Sequence, residues 1–134
     1  MDPYCGKDIK IGSPAVTNGD ADNVGLKYLS NFMDACKDCQ IDFINIHWQW
    51  TSGDTPVKTF TDHVQKAHDM FGKDIWVTEY QAPAGSADPV KFMKDATAWL
   101  DKQSYVKRYA YFSVNDKLTN GDALNDLGVA YAGM

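Results

Sequence analysis

The chain has one Glu, Glu79, at the end of the apolar run IWVTEY, and its other 17 acidic residues are all Asp. Helical surfaces usually favour Glu over Asp, because Asp competes for nearby backbone hydrogen bonds. A solitary Glu is therefore better explained by chemistry than by helix propensity. A carboxylate so placed can serve as nucleophile, as general acid or base, or as acceptor for ligand hydroxyls. A second constellation, His47, Trp48, Gln49 and Trp50, closes another apolar run, IDFINIHWQW. Aromatic faces cover the C–H side of a pyranose while amides and carboxylates pair its hydroxyls, so these residue types together suit saccharide recognition.

Cys36 and Cys39 form a Cys-x-x-Cys, and Cys5 leaves an odd count. The pair is open to three readings: a redox couple, half of a zinc site, or a local disulfide. Redox pairs sit at helix N-termini, where the dipole lowers the thiol pKa, whereas this one falls at the end of a helical segment. Zinc needs two further ligands, and His47, His63 and His68 offer no companion pair at ligand spacing. A structural disulfide is the favoured reading over free thiols or metal. Cys5 is either free or a cross-link between two copies. No metal or cofactor site is expected.

Four repeats of strand then helix position these residues. Ile9 to Val16 reads as a strand, followed by a loop and a helix with Asn23 as N-cap and apolar Leu26, Leu29, Phe32, Met33 and Cys36. Ile41 to Trp50 is dense in large and β-branched residues, as in a strand buried within a parallel sheet. Pro56 suits the first position of a helix whose face is Val57, Phe60, Val64, Ala67 and Phe71 and which Gly72 ends. Asp74 to Tyr80 is the third strand, and Asp88 with Pro89 opens a helix burying Phe92, Met93, Ala96, Trp99 and Leu100. Val106 to Val114 is the fourth strand; an Asn120-Gly121 turn leads to a short helix near Leu124 to Tyr131. His63 and His68 are expected to be solvated on their helix.

Strands beginning near residues 9, 42, 74 and 106 define one α/β domain over residues 1–134, made of four parallel βα units. Such a domain is either half of a (β/α)8 barrel or an open α-β-α sandwich derived from it, and 134 residues are too few for a complete barrel of about 250. A half barrel exposes a sheet face that must be covered, by an N-terminal half, by rearranged helices or by a second copy; a homodimer is expected. Ligands in parallel α/β folds bind beyond the C-terminal strand ends. That edge presents Ser13, Asn18 and Asp20, then His47 to Trp50, then Glu79 and Tyr80, then Ser113, Asn115 and Asp116. The candidate saccharide-binding residues are Asn18, His47, Trp48, Trp50, Glu79, Tyr80, Asn115 and Asp116, with Trp76 in the core.

Net charge of -5 and a pI near 4.9 argue against a nucleic-acid partner, because phosphate binding needs clustered Lys and Arg. No run approaches the about 20 apolar residues of a membrane span. The polar start is no signal peptide, and a secreted chain with its leader removed would look the same.

The segments IGSPAVTNG, ACKDCQIDFINIHWQW, KDIWVTEYQAP and VKRYAYFSV resemble, in order, the C-terminal half of the fungal glycoside hydrolase family 128 catalytic domain, a (β/α)8 barrel acting on β-1,3-glucan. The resemblance implies that these strands are the fifth to eighth of a barrel and that Glu79 is the family's nucleophile. It matches His47 and Trp48 to a His-Trp-Tyr motif and Cys36 and Cys39 to a Cys-x-x-Cys common in the family. Two departures stand out. The acid/base Glu of the family's Asn-Glu-Pro-Asp motif has no counterpart here, and Gln49-Trp50 replaces Tyr followed by a small residue. Retaining hydrolysis needs two carboxyl groups about 5 to 5.5 Å apart; Asp116 and Asp54 are the substitutes nearest the right edge. The sequence therefore points to a secreted, lectin-like protein that binds a glycan or β-glucan oligosaccharide. The alternatives are an inactive fragment of a retaining endo-β-1,3-glucanase, with Glu79 catalytic only in that case, and a protein-interaction domain.

Overall fold

The computed structural model of the chain describes residues 9–49 and 56–134. Helix α1 (Gly25–Ala35) leads to strand β1 (Phe43–Trp48), then α2 (Pro56–Phe71), β2 (Asp74–Tyr80), α3 (Pro89–Leu100) and β3 (Val106–Tyr111). A one-turn π-helix (Val114–Leu118), a minimal hairpin of β4 (Thr119–Asn120) and β5 (Ala123–Leu124), and α4 (Asp126–Ala132) complete it. The strands β1, β2 and β3 lie side by side in chain order and all parallel.

The expected first strand is reduced to two parallel bridges, Gly12 to Phe43 and Val16 to Ile46. Its backbone still tracks β1, with Ser13 N–H donating to the Phe43 carbonyl and His47 N–H to that of Val16. This segment carries one extra residue between the two bridges, and the Asn45 N–H donates to the Ser13 hydroxyl instead of a backbone carbonyl, which breaks the ladder. Four parallel segments in consecutive order remain, as in half a barrel.

Helix boundaries follow local chemistry. The Asp88 carboxylate accepts from Lys91 N–H at 2.8 Å and Pro89 occupies the first turn of α3. Gly72 ends α2 in the left-handed region, at φ 61°, with its N–H on the His68 carbonyl. Asn23 does not cap α1. It takes a positive φ of 58°, and Val24 occupies the cap position without a side-chain bond. Gly25 is also left-handed, and a Cβ there would lie 2.2 Å from the Gly19 carbonyl oxygen. This sharp entry requires glycine.

One core lies between the sheet and the helices. Ile44, Ile46 and Trp48 of β1 and Ile75, Val77 and Tyr80 of β2 meet Leu26 and Leu29 of α1, Phe60, Val64 and Ala67 of α2, and Phe92, Met93, Ala96 and Leu100 of α3. α2 packs on β1 and β2, α3 on α2, and α4 on α3. Phe60 anchors an aromatic layer, meeting Trp48 edge-on at 5.5 Å and stacking on Tyr80 at 5.4 Å. The opposite sheet face carries Phe43, Asn45, His47, Trp76, Thr78, Glu79 and Arg108, and no helix among the described residues covers it. This excludes the two-sided sandwich: consecutive strand order puts the helices on one side, so the other face is what would line a barrel.

Cys36 and Cys39 form a disulfide just beyond α1, with Cα atoms 5.1 Å apart. Cys5 lies outside the described residues. No helix among the described residues is long and apolar enough to cross a membrane.

Candidate functional site

The bare face owes its carboxylate to a β-bulge. Ile46 pairs with Val77 but His47 pairs with Glu79, so Thr78 is an extra residue in β2. The pairing of β2 with β3 slips across the same stretch, from Val77 with Tyr109 to Tyr80 with Tyr111. Without the bulge, strict alternation would send Glu79 to the helix side with Ile75 and Val77. The inserted residue reverses the phase, turning Glu79 onto the bare face and Tyr80 into the core.

On that face the Gln49 side-chain amide donates to Glu79 Oε2, and His47 Nδ1 lies 3.4 Å from the same oxygen. The Glu79 side chain keeps about a third of its surface exposed, at 32%, and His47 keeps 21%. Gln49 is fixed at its backbone as well. Its N–H donates to Asn18 Oδ1 at 3.3 Å, and its carbonyl accepts from Gln81 Nε2 at 3.1 Å. One level below, Thr78 donates to Asn45 Oδ1, and Asn45 N–H donates to Ser13 Oγ. Lower still, Phe43 stacks on Trp76 at 3.9 Å and the Arg108 guanidinium lies 5.7 Å from the Trp76 ring centre. Trp76 is thus a partly exposed aromatic of the bare face rather than a core residue. A carboxylate with an exposed oxygen, flanked by an imidazole and an amide above an aromatic floor, can accept hydroxyl hydrogen bonds or attack an electrophilic carbon.

The candidate residues separate into distinct places. Glu79, His47 and, through Gln49, Asn18 come together. Trp48 is 2% exposed and Tyr80 is fully buried; both point into the helix-side core, which removes them as ligand contacts. Trp48 shares the phase of Ile44 and Ile46, and Tyr80 is turned inward by the bulge. Asn115 and Asp116 are exposed on the π-helical turn, and Asp116 lines a cavity that does not include Glu79. Trp50 and Asp54 lie outside the described residues. Gln49 and Gln81 are partners that the candidate saccharide-binding set lacked; their signal was an amide one position past each strand end.

The helix-borne histidines are only partly exposed, and each packs on an aromatic ring. His68 stacks on Tyr105 at 3.9 Å and its Nδ1 meets the Lys73 carbonyl. His63 sits beside Trp48, with rings 5.4 Å apart, and its buried Nε2 has no hydrogen-bond partner among the described residues. Burial, helped by Lys66, lowers its pKa from 6.5 to about 4. Burial raises the Tyr80 and Tyr111 phenols, and it pushes Tyr109 up to about 12 together with a hydrogen bond to Asp101.

A consecutive parallel sheet with helices on one side and a carboxylate at a strand's C-terminal end is the architecture of a glycosidase-type (β/α) barrel. The chain belongs to the glycosyl hydrolase catalytic core family, whose model matches residues 1–131. It is similar to Alkali-sensitive linkage protein 1 of Schizosaccharomyces pombe, with 33% identity over 130 residues, covering 92% of this chain and 23% of that protein. Among solved structures, a family 128 curdlan-specific exo-β-1,3-glucanase of Blastomyces gilchristii, in complex with glucose, superposes with a TM-score of 0.86 and 37% identity. A family 128 endo-β-1,3-glucanase of Amycolatopsis mediterranei, in complex with laminaritriose, gives 0.77 and 27%. These alignments cover 100% and 93% of this chain but 58% of each glucanase.

Proposed function

We propose that this chain binds β-1,3-glucan along the bare face built on Glu79, His47 and Gln49, and that by itself it does not hydrolyse it. The observation that carries this reading is the setting of Glu79: exposed at a strand end, braced by an amide and an imidazole, and without a second Glu anywhere in the chain. Asp42, just before β1, and Asp74, the first residue of β2, are at the wrong end of their strands. Asp42 binds the Ile11 N–H, and Asp74, 3.8 Å from Lys107, opens β2. Glu79 lies five residue steps along the strand from Asp74, roughly 16 Å. Retaining hydrolysis needs a proton donor about 5 to 5.5 Å from the nucleophile. The similar glucanases bind glucose and laminaritriose in their own structures, which supports β-1,3-linked glucose as the ligand class here. The Cys36–Cys39 disulfide supports an oxidising, extracellular setting.

A second reading is favoured by the uncovered face and by the 58% coverage of the solved glucanases. In it Glu79 is the nucleophile of a retaining β-1,3-glucanase whose proton donor comes from further polypeptide packed on that face. The test is co-sedimentation with curdlan. The wild-type chain is expected in the pellet and to release no reducing sugar, and Glu79→Gln is expected to weaken binding about tenfold, by loss of charge-assisted hydrogen bonds. Absence of the folded wild-type chain from the pellet would refute the binding reading; sugar release would replace it with the hydrolytic one.

A further inference from the structure

A cavity of about 570 Å³ lies between the β2–α3 loop and the segment running from the π-helical turn to α4. Its size falls within the about 300 to 1,000 Å³ of small-molecule sites. It is on the helix side of the sheet. Tyr111, which lines it, packs edge-on against Tyr80 in the core, whereas Glu79 faces the other way. Gln81 also lines the cavity and reaches the Gln49 carbonyl, so the two places adjoin there while Glu79 and the cavity open in different directions.

The wall is mixed in a specific way. Pro83 and Pro89 supply rigid C–H faces on one side, and the carboxylates of Asp116 and Asp126 line the other. Tyr111 is 7% exposed and its hydroxyl accepts the Ala82 N–H at 2.9 Å. That bond uses an oxygen lone pair and leaves the O–H proton without an acceptor among the described residues. A ligand oxygen placed in the cavity can accept that proton in exchange for water. The Ser86 hydroxyl adds a group that both donates and accepts.

The chemistry of the occupant follows by exclusion. Two carboxylates against the single Lys117 disfavour an anion. A metal ion is disfavoured as well, because no three His, Cys, Asp or Glu side chains among the described residues are grouped to hold one. A wholly apolar ligand would strand the carboxylates and the phenol. A neutral polyhydroxylated ring fits: its hydroxyls donate to Asp116 and Asp126, one ring or hydroxyl oxygen accepts from Tyr111, and its C–H face lies on the prolines.

We propose that this cavity is a second saccharide site, taking a β-1,3-linked glucosyl unit independently of Glu79. The choice of sugar rests on the glucan-binding reading, and the test keeps the two apart. Amide NMR shifts of the 134-residue chain are followed during titration with laminaritriose to roughly 10 mM, well above a 1 mM dissociation constant. Saturable shifts are expected at Ser86, Lys117 and Gly128. Asp116→Asn should weaken them about fivefold, and Ser86→Trp, which fills the cavity, should abolish them. Glu79→Gln should leave them intact while removing shifts at His47 and Gln49. Unmoved rim amides overturn the second site whether or not the Glu79 face responds. Rim shifts that vanish in Glu79→Gln also overturn it, because they would report one site rather than two.

Discussion

Acidification is expected to weaken this fold through one side chain, His63. In the folded chain its imidazole is packed beside Trp48 with Nε2 buried and without a partner among the described residues, and burial followed by the Lys66 charge lowers its pKa from 6.5 to about 4. Lys27 and Asp20 from the other side line the same small cavity. In the unfolded chain His63 takes up a proton once the pH falls below about 6.5, whereas the folded chain resists until about 4. The unfolded state thus binds more protons across that window, so stability is full above it, falls with pH through it and levels below it. A separation of about 2.5 pKa units is worth about 3 kcal/mol at most, a large part of the stability of a domain this size. The assay is urea unfolding of wild type and His63→Phe between pH 7.5 and 4.5. Carboxylates titrate in both proteins and cancel in the difference. The variant should gain about 2 to 3 kcal/mol on the wild type as the pH drops through the window. A difference that stays flat within about 0.5 kcal/mol would show that His63 protonates as freely in the fold as out of it, and would refute the argument.

Tyr80→Phe deletes a buried hydroxyl that has no hydrogen-bond partner among the described residues, and it should leave thermal stability unchanged or raise it by about 1 kcal/mol; a loss of that size in a melting scan would mean the hydroxyl is satisfied. Gly25→Ala places a methyl 2.2 Å from the Gly19 carbonyl at a positive φ, and a cost of at least about 2 kcal/mol is expected in urea unfolding.

The fold was legible because its periods were clean. Val64 and Ala67, or Phe92, Met93, Ala96 and Leu100, lie three or four apart and are buried as their spacing requires. The Asp88-Pro89 and Phe71-Gly72 pairs marked helix ends by local chemistry, independent of tertiary context. The site was legible only in part, because facing depends on register. Nothing local in IWVTEY announces that Thr78 is extra, and that single residue decides that Glu79 meets the bare face and Tyr80 the core. Trp48 was a different case: its alternation with Ile44 and Ile46 already placed it on the helix side. The first strand shrank to two bridges because of a one-residue slip against β1, with Ser13 Oγ taking the Asn45 N–H, and register of that kind is not visible in the sequence. His63 could not be read alone, since its burial depends on how α2 settles against Trp48 across the sheet.

The central claim is that Glu79, braced by Gln49 and His47, holds β-1,3-glucan without cleaving it. Calorimetric titration of the chain with laminaritriose tests both halves at once, because binding heat saturates whereas turnover keeps producing heat after each injection. The account predicts a saturable signal that returns to baseline and is lost or weakened about tenfold in Glu79→Gln. No binding heat from the folded chain, or a heat flow that persists until the sugar is consumed, would contradict it.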